Sequence, residues 1–283
     1  MRMGPQEVVW IAGAAGRMGR AIEHRLDHEK YRILTTDAEV DATDLDTVVH
    51  FAAANRPDYV INCAGLARHD AAQERPDDAY RINALGARNL AIASESVGAK
   101  IIHLSTDDLF PANMPHAVNE FDPALPHHVF GKSKLAGEKL VRDMNPRHII
   151  IRSSWVYTAL PDDMIVSAIA KARAGEPVEV PANQFARPTS CKTVAEFIIA
   201  IMESEEFGTF HVTSEGLCSR FEFIARALKL AGAPTDTLAS RQNPDEAYRV
   251  DLDNLMIRLT GIYELRSWEE DLKDYMAEHD LLA

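Results

Sequence analysis

Cysteine is scarce in this chain: Cys63, Cys191 and Cys218 form an odd set with no C-x-x-C spacing. That excludes a disulfide framework and fits a reducing compartment. Positive charge is also in short supply. Against 43 Asp and Glu there are 30 Lys and Arg, a formal net charge of −13. Such an excess of carboxylates repels phosphate polymers and argues against nucleic acid as a partner. No apolar run approaches the roughly 20 residues of a membrane-spanning helix. The start, Met1-Arg2-Met3-Gly4-Pro5, lacks the apolar core of a signal peptide. No His, Cys or carboxylate group stands at metal-ligand spacing, and repeats and low-complexity tracts are missing. These absences predict a soluble cytoplasmic protein with no metal, nucleic-acid or membrane partner. What is present is ordinary globular usage, 46% hydrophobic and 26% charged over 283 residues. A chain of this length can bury about three quarters of its unfolded surface without staples.

Short apolar strands alternate with helical patterns through the first half. Strands are expected at Glu7–Ala12, Tyr31–Thr36, Tyr59–Ala64, Lys100–Ser105 and Arg147–Ser153. Between them, helices are expected after Gly16, where Met18, Ala21, Ile22 and Leu26 share a stripe, and over Asp44–Ala54, Asp77–Val97 and Val129–Met144. Gly98 suits a left-handed cap after the third of these. This order predicts an α/β fold, a doubly wound (Rossmann) parallel sheet covered on both faces. Beyond Trp155 the alternation loosens, with prolines at 161, 177, 181 and 188 and helical patterns at Ile165–Ala174, Val194–Ser204 and Phe221–Gly232. The reading is a dinucleotide-binding domain over residues 1–155, to which some later segments return, and a smaller substrate-binding lobe over 156–283.

The first strand runs into Gly13-Ala14-Ala15-Gly16-Arg17-Met18-Gly19. A first glycine permits a tight turn, a second lets backbone approach a pyrophosphate, and a third packs helix on strand. The helix N-terminus supplies partial positive charge. Asp37, at the end of the second strand, follows Gly19 at close to the roughly 20-residue spacing of an acid that binds the adenosine ribose hydroxyls. A carboxylate there repels a 2′-phosphate, which favours NAD(H), with NADP(H) as the alternative. Asp41 could instead face the adenine.

Two later segments carry chemistry. The fourth strand ends in Leu104-Ser105-Thr106-Asp107, placing hydroxyls at the carboxyl edge of the sheet, where ligands of open α/β folds bind. The next helix opens with Phe130-Gly131-Lys132-Ser133-Lys134, with positions 130 and 134 on one face. With these segments the chain resembles the dTDP-4-dehydrorhamnose reductases, a branch of the extended short-chain dehydrogenases. The matching blocks are Arg56–Ala64, Ile82–Leu90, Ser105–Asp107, Gly131–Glu138, Arg152–Tyr157, Asn183–Phe185 and Pro188-Thr189, in the family's order.

The resemblance implies roles. Thr106 would hydrogen-bond a substrate carbonyl, with Asp107 beside it, and Lys134 would hold the nicotinamide ribose and lower the pKa of a tyrosine. Trp155 would line the sugar pocket. Gly16, Arg17 and Met18 would lie along the pyrophosphate, and Ala64, Gly65 and Leu66 beside the cofactor. The family's proton donor, however, is a tyrosine where this chain has Phe130. A phenyl ring has no proton to give, and a positioned general acid contributes typically about 10²–10⁴-fold in rate. His127, His128, Asp108 and Tyr157 are the candidates weighed as replacements. The substrate lobe departs too: the family's Arg-Pro pair is replaced by the run Glu246–Leu252, and the aromatic near position 220 is missing. Losing an arginine removes a bidentate phosphate partner.

Two functions follow. One is an NAD(P)H-dependent reductase of a nucleotide-linked 4-keto sugar, or of a smaller carbonyl compound, weakened by Phe130. The other is a catalytically silent NAD(P)-binding regulatory protein of the same fold, which would have a protein partner.

Overall fold

The computed structural model describes residues 6–283, and every count or absence below concerns these. The reading of Met1–Pro5 lies outside the described residues. The chain forms two compact units. The first comprises the residues through Phe110 together with Pro123–Arg152 and Ala195–Phe210; the second comprises Pro111–Asp122, Ser153–Val194 and His211–Ala283.

In chain order the elements begin with β1 (Glu7–Ala12), α1 (Arg17–Arg25), β2 (Tyr31–Thr36), α2 (Leu45–Asn55) and β3 (Tyr59–Asn62). Helices α3 (His69–Glu74) and α4 (Pro76–Tyr80), a π turn (Arg81–Gly86), α5 (Ala87–Ser96), β4 (Lys100–Thr106), α6 (Val129–Met144) and β5 (His148–Ser153) follow. Next come β6 (Val156–Tyr157), α7 (Met164–Arg173), β7 (Val178–Pro181), β8 (Gln184–Ala186), β9 (Thr189–Ser190), α8 (Cys191–Met202) and β10 (Gly208–His211). The chain closes with β11 (Cys218–Ser219), α9 (Arg220–Leu230), β12 (Leu238–Arg241), β13 (Tyr248–Arg249), α10 (Leu255–Thr260) and α11 (Trp268–Glu278).

Six strands make the main sheet, in the order β10-β5-β4-β3-β1-β2. The pairs β1·β2, β1·β3 and β3·β4 all run parallel. Val9, Trp10 and Ile11, Val60 and Ile61, Ile101 and Ile102, and Ile149–Ile151 are all fully buried. Consecutive residues point to opposite faces, so such runs need cover on both sides. One face is closed by a cluster joining Trp10, Val60 and Ile101 to Val48, Leu90 and Val141 of the helices. The predicted doubly wound sheet is therefore the observed fold. Because β1 lies between β2 and β3, the strand order reverses between β1 and β3, and the crevice beyond their carboxyl ends is where open α/β sheets bind ligands.

The helix expected over Asp77–Val97 is not one regular helix. Its middle turn, Arg81–Gly86, is widened to π geometry, and Gly98 follows its end at φ +76° as expected. Close packing accounts for the widening. A Cβ on Gly137 of α6 would stand 2.2 Å from the Asn83 carbonyl oxygen, so this carbonyl occupies the notch that the glycine leaves. The Asn83 side chain accepts from Leu66 N at 2.8 Å and donates to Ser133 Oγ at 2.9 Å, joining the π turn to the segment after β3 and to α6. Helix α3 was not anticipated.

In the second unit, strands pair as β11-β8-β13, β12-β7 and β6-β9. Its centre is the buried Asp271 of α11. One carboxylate oxygen accepts from Tyr157 Oη (3.1 Å), Ser190 N (2.7 Å) and Ser214 Oγ (2.9 Å), the other from Ser190 Oγ (2.6 Å) and Thr193 Oγ1 (2.7 Å). A fully bonded buried carboxylate fixes β6, β9 and α11 to one another. Among the described residues no helix is long and apolar enough to cross a membrane.

Candidate active site

The glycine turn sits at the reversal of strand order. Gly13 has φ +79°, and a Cβ there would come within 2.6 Å of Ala64 N, so the ends of β1 and β3 touch only because position 13 has no side chain. Gly19 leaves the same kind of room, since its Cβ would meet Ala14 Cα at 2.6 Å. Gly16 is the N-cap of α1, with no side-chain cap bond, and Arg17 and Met18 open the helix. Asp37 accepts from Ala15 N at 2.9 and 3.1 Å, so the acid after β2 closes on the turn itself. Asp41 accepts from Thr43 N at 2.8 Å in the loop beyond. A bare backbone cradle with a helix N-terminus on one side and a carboxylate on the other fits the pyrophosphate and ribose of a dinucleotide.

Next along this edge are Ala64, Gly65 and Leu66. Ala64 N donates to Asn62 Oδ1 at 3.0 Å, and Leu66 is held by Asn83. Lys134 of α6 is 7% exposed, and its ammonium donates to the Leu104 carbonyl of β4. Burial lowers that ammonium from 10.5 to about 8, against the opposing charge of Glu138. Burial pushes the Cys63 thiol up to about 12, so it stays protonated at neutral pH. Burial alone would also raise Glu138, but Arg152 holds its carboxyl below the ordinary value with bonds of 2.9 and 2.7 Å. Thr106 ends β4, and its hydroxyl donates to Asp108 Oδ2 at 2.9 Å and lies 3.3 Å from Asp107 Oδ1. Neighbour by neighbour, the edge runs from the glycine turn through Ala64 and Cys63 to Lys134, Leu104 and Thr106.

Phe130 is buried against Ala72, Ala79, Leu66 and Val129. Its ring faces that of His69, with centroids 5.0 Å apart. His69 Nε2 lies 3.1 Å from Asp108 Oδ2, the oxygen that also receives the Thr106 hydroxyl. The Asp108 hydrogen bond raises the imidazole pKa above its ordinary value, against burial, and Asp107 and Asp70 add to the rise. Sequence reasoning missed His69: it begins the short helix α3, and Arg68-His69-Asp70 has no apolar period to announce one. Of the replacements weighed, Asp108 is in this cluster and the His128 ring lies 6.4 Å from that of His69. Tyr157, in the second unit, is buried with its hydroxyl on Asp271.

Trp155 also belongs to the second unit. It takes φ +39°, a conformation costly for a residue with a bulky side chain. The Arg220 guanidinium lies 4.1 Å from its ring centroid and donates to Gln184 Oε1 at 2.9 Å. Glu246 is paired with Arg241 at 2.8 Å, which offsets the negative charge that stands near the expected arginine position. Arg187 is held between Asp251 (2.5 Å) and Glu215 (2.8 Å).

A glycine turn at the strand-order reversal, with a hydroxyl and a buried lysine at the same sheet edge, defines a nucleotide-binding α/β protein of the short-chain dehydrogenase/reductase kind. Comparison narrows this class. Residues 7–281 match the RmlD substrate binding domain family, and the chain belongs to that family. It is 31% identical over 277 residues to the spore coat polysaccharide biosynthesis protein SpsK of Bacillus subtilis, covering 95% of this chain and 97% of the relative. It is 32% identical over 291 residues to dTDP-4-dehydrorhamnose reductase of Mycobacterium tuberculosis, covering 97% and 94%. The crystal structure of dTDP-4-dehydrorhamnose reductase from Bacillus anthracis in complex with NADP superposes with a TM-score of 0.91 at 32% identity, covering 98% of this chain and 99% of that one.

Proposed function

We propose that this protein reduces the 4-keto group of a dTDP-linked 6-deoxy sugar, using a reduced nicotinamide dinucleotide. The observation that carries the proposal is similarity over the whole chain: the Bacillus anthracis reductase aligns at a TM-score of 0.91 with almost nothing left over in either chain. Gly13, Gly16, Arg17, Met18 and Gly19 hold the pyrophosphate, and Ala64, Gly65 and Leu66 flank the cofactor. Asp37 takes the adenosine ribose, with Asp41 towards the adenine. That relative is held with NADP, yet a carboxylate at position 37 supports NAD(H) here, because it repels a 2′-phosphate. The cofactor supplies a hydride when bound. Residues 1–155, with the later segments that return to them, form the dinucleotide domain, and 156–283 form most of the substrate lobe; Trp155 is the residue proposed to line the sugar pocket.

The chain's own groups divide the work. Thr106, with Asp107 beside it, turns its one hydroxyl hydrogen from Asp108 to the carbonyl oxygen as negative charge develops there. Lys134, anchored on the Leu104 carbonyl, positions the nicotinamide ribose, and its positive charge favours the developing alkoxide. Phe130 excludes water from that side of the pocket. A cytoplasmic location suits the substrate class and the three cysteines, none of which is joined in a disulfide.

The test is oxidation of NADH or NADPH by the purified protein with dTDP-4-dehydrorhamnose, alongside cofactor binding by calorimetry. Turnover, with NADH bound more tightly than NADPH, is expected. Cofactor binding without turnover, in both the native protein and Phe130→Tyr, would overturn the reductase and leave a binding protein.

A further inference from the structure

We propose that His69 and Asp108 deliver the proton that a tyrosine at position 130 would have supplied, through a relay ending at the Thr106 hydroxyl. The inference rests on the reductase reading above. Its first support is a shared atom. Asp108 Oδ2 receives both His69 Nε2 (3.1 Å) and Thr106 Oγ1 (2.9 Å), so two hydrogen bonds connect the imidazole to the hydroxyl that faces the substrate.

The second is position. The imidazole lies against the very ring that lacks a hydroxyl, at 5.0 Å between centroids. The third is rigidity. A Cβ on Gly131 would stand 2.2 Å from the Asp108 carbonyl oxygen, so the Asp108 backbone rests on α6 one residue after Phe130. Phe130, Asp108 and, through its bond, His69 are thus held on one framework.

The charged and titratable groups around His69 favour its protonated form. Asp108 and Asp107 face it from the turn after β4, and Asp70, paired with Arg68 at 2.6 Å, from its own helix. From the start of α6, His128 stands 6.4 Å away, ring to ring. The net effect raises the imidazole above its ordinary value. A histidine raised in this way keeps its proton to higher pH, as a general acid requires.

The step balances as follows. The carbonyl carbon gains a hydride from the reduced nicotinamide dinucleotide, which is thereby oxidised, and the C=O π pair moves onto oxygen. Asp108 Oδ2, which accepts from both partners, first takes the proton of His69 Nε2. The Thr106 hydroxyl turns from Asp108 to the substrate oxygen, gives its proton there and takes the one that Asp108 now carries. Asp108 and Thr106 end unchanged, the imidazolium becomes neutral imidazole, and water restores its proton.

The experiment compares the native protein with His69→Gln, Asp108→Asn, Phe130→Tyr and His69→Gln/Phe130→Tyr, using dTDP-4-dehydrorhamnose and NADH. His69→Gln and Asp108→Asn are expected to lower kcat by about 10²–10⁴-fold with NADH affinity kept. The double variant should recover most of that loss, because the added phenol makes the relay unnecessary. In histidine NMR, the raised titration of His69 should fall in Asp108→Asn, a reading that needs no turnover. Native kcat should decline as pH rises through the His69 titration. An unchanged kcat in His69→Gln overturns the relay, as does a decline near the pH 8 of Lys134 that persists in that variant. If Phe130→Tyr turns over and the native protein does not, the relay fails while the reductase reading stands. If no form turns over, both fall together.

Discussion

Replacing Lys134 with methionine is expected to make the protein more stable and inactive at once. The ammonium is buried, and burial lowers its pKa from 10.5 to about 8. Holding the charge in the fold at neutral pH therefore costs about 3 kcal/mol. Methionine has similar length and no charge, but it forfeits the bond to the Leu104 carbonyl, worth about 1 kcal/mol. The expected net gain is about 2 kcal/mol at pH 7, a rise of several degrees in Tm. The pH dependence separates this cause from simple repacking. Between pH 8 and 10.5 the unfolded chain keeps the lysine proton that the folded chain has released, so the native protein gains stability as pH rises. The gain approaches about 1.4 kcal/mol per unit, and the variant's advantage should vanish before pH 10. Urea unfolding at pH 7 and 9.5, followed by tryptophan fluorescence, reads both numbers, and an activity assay reads the loss of turnover. A variant less stable than the native protein by the same amount at both pH values would refute the argument, because the lysine would then act by packing alone.

Two other outcomes follow from buried groups. His103 is fully buried, accepts from Asn62 at 3.0 Å, and is pushed well below its ordinary pKa by burial, with Lys134 and Arg142 adding to the effect. Below pH 6.5 the unfolded chain binds a proton that the folded chain refuses, so stability is lost as pH falls, and His103→Leu should flatten that loss in acid unfolding curves. Arg152→Met should cost about 3 kcal/mol, because the buried Glu138 carboxylate loses two bonds and keeps Arg142 at 2.9 Å. Glu138 would then titrate higher than in the native protein, so the deficit should shrink as pH falls in urea melts.

Periodicity carried the fold further than the site. Both limits of α6, Val129 and Met144, coincide with the sequence expectation, as do those of β1 and β2. These elements are long or continuously apolar, and their pattern is local. The π turn is not local: it depends on the Gly137 notch meeting Asn83 from another part of the chain. His69 escaped notice for the same reason. Its significance lies in a bond to Asp108, 39 positions away, and in a ring facing Phe130, and neither is written in its neighbours. The sequence offers Asp108 as a donor in its own right, whereas the fold makes it one member of a pair.

The chain passes from one compact unit to the other five times. Ending it near residue 155 would remove Phe197, Ile198, Ile201 and Phe210 from the first unit's interior and delete the edge strand β10. Neither unit is a cassette that recombination could lift out whole, since an exchange between relatives would need five matched junctions. Divergence in such an architecture proceeds more readily by point substitution, of which Phe130 beside His69 is an instance.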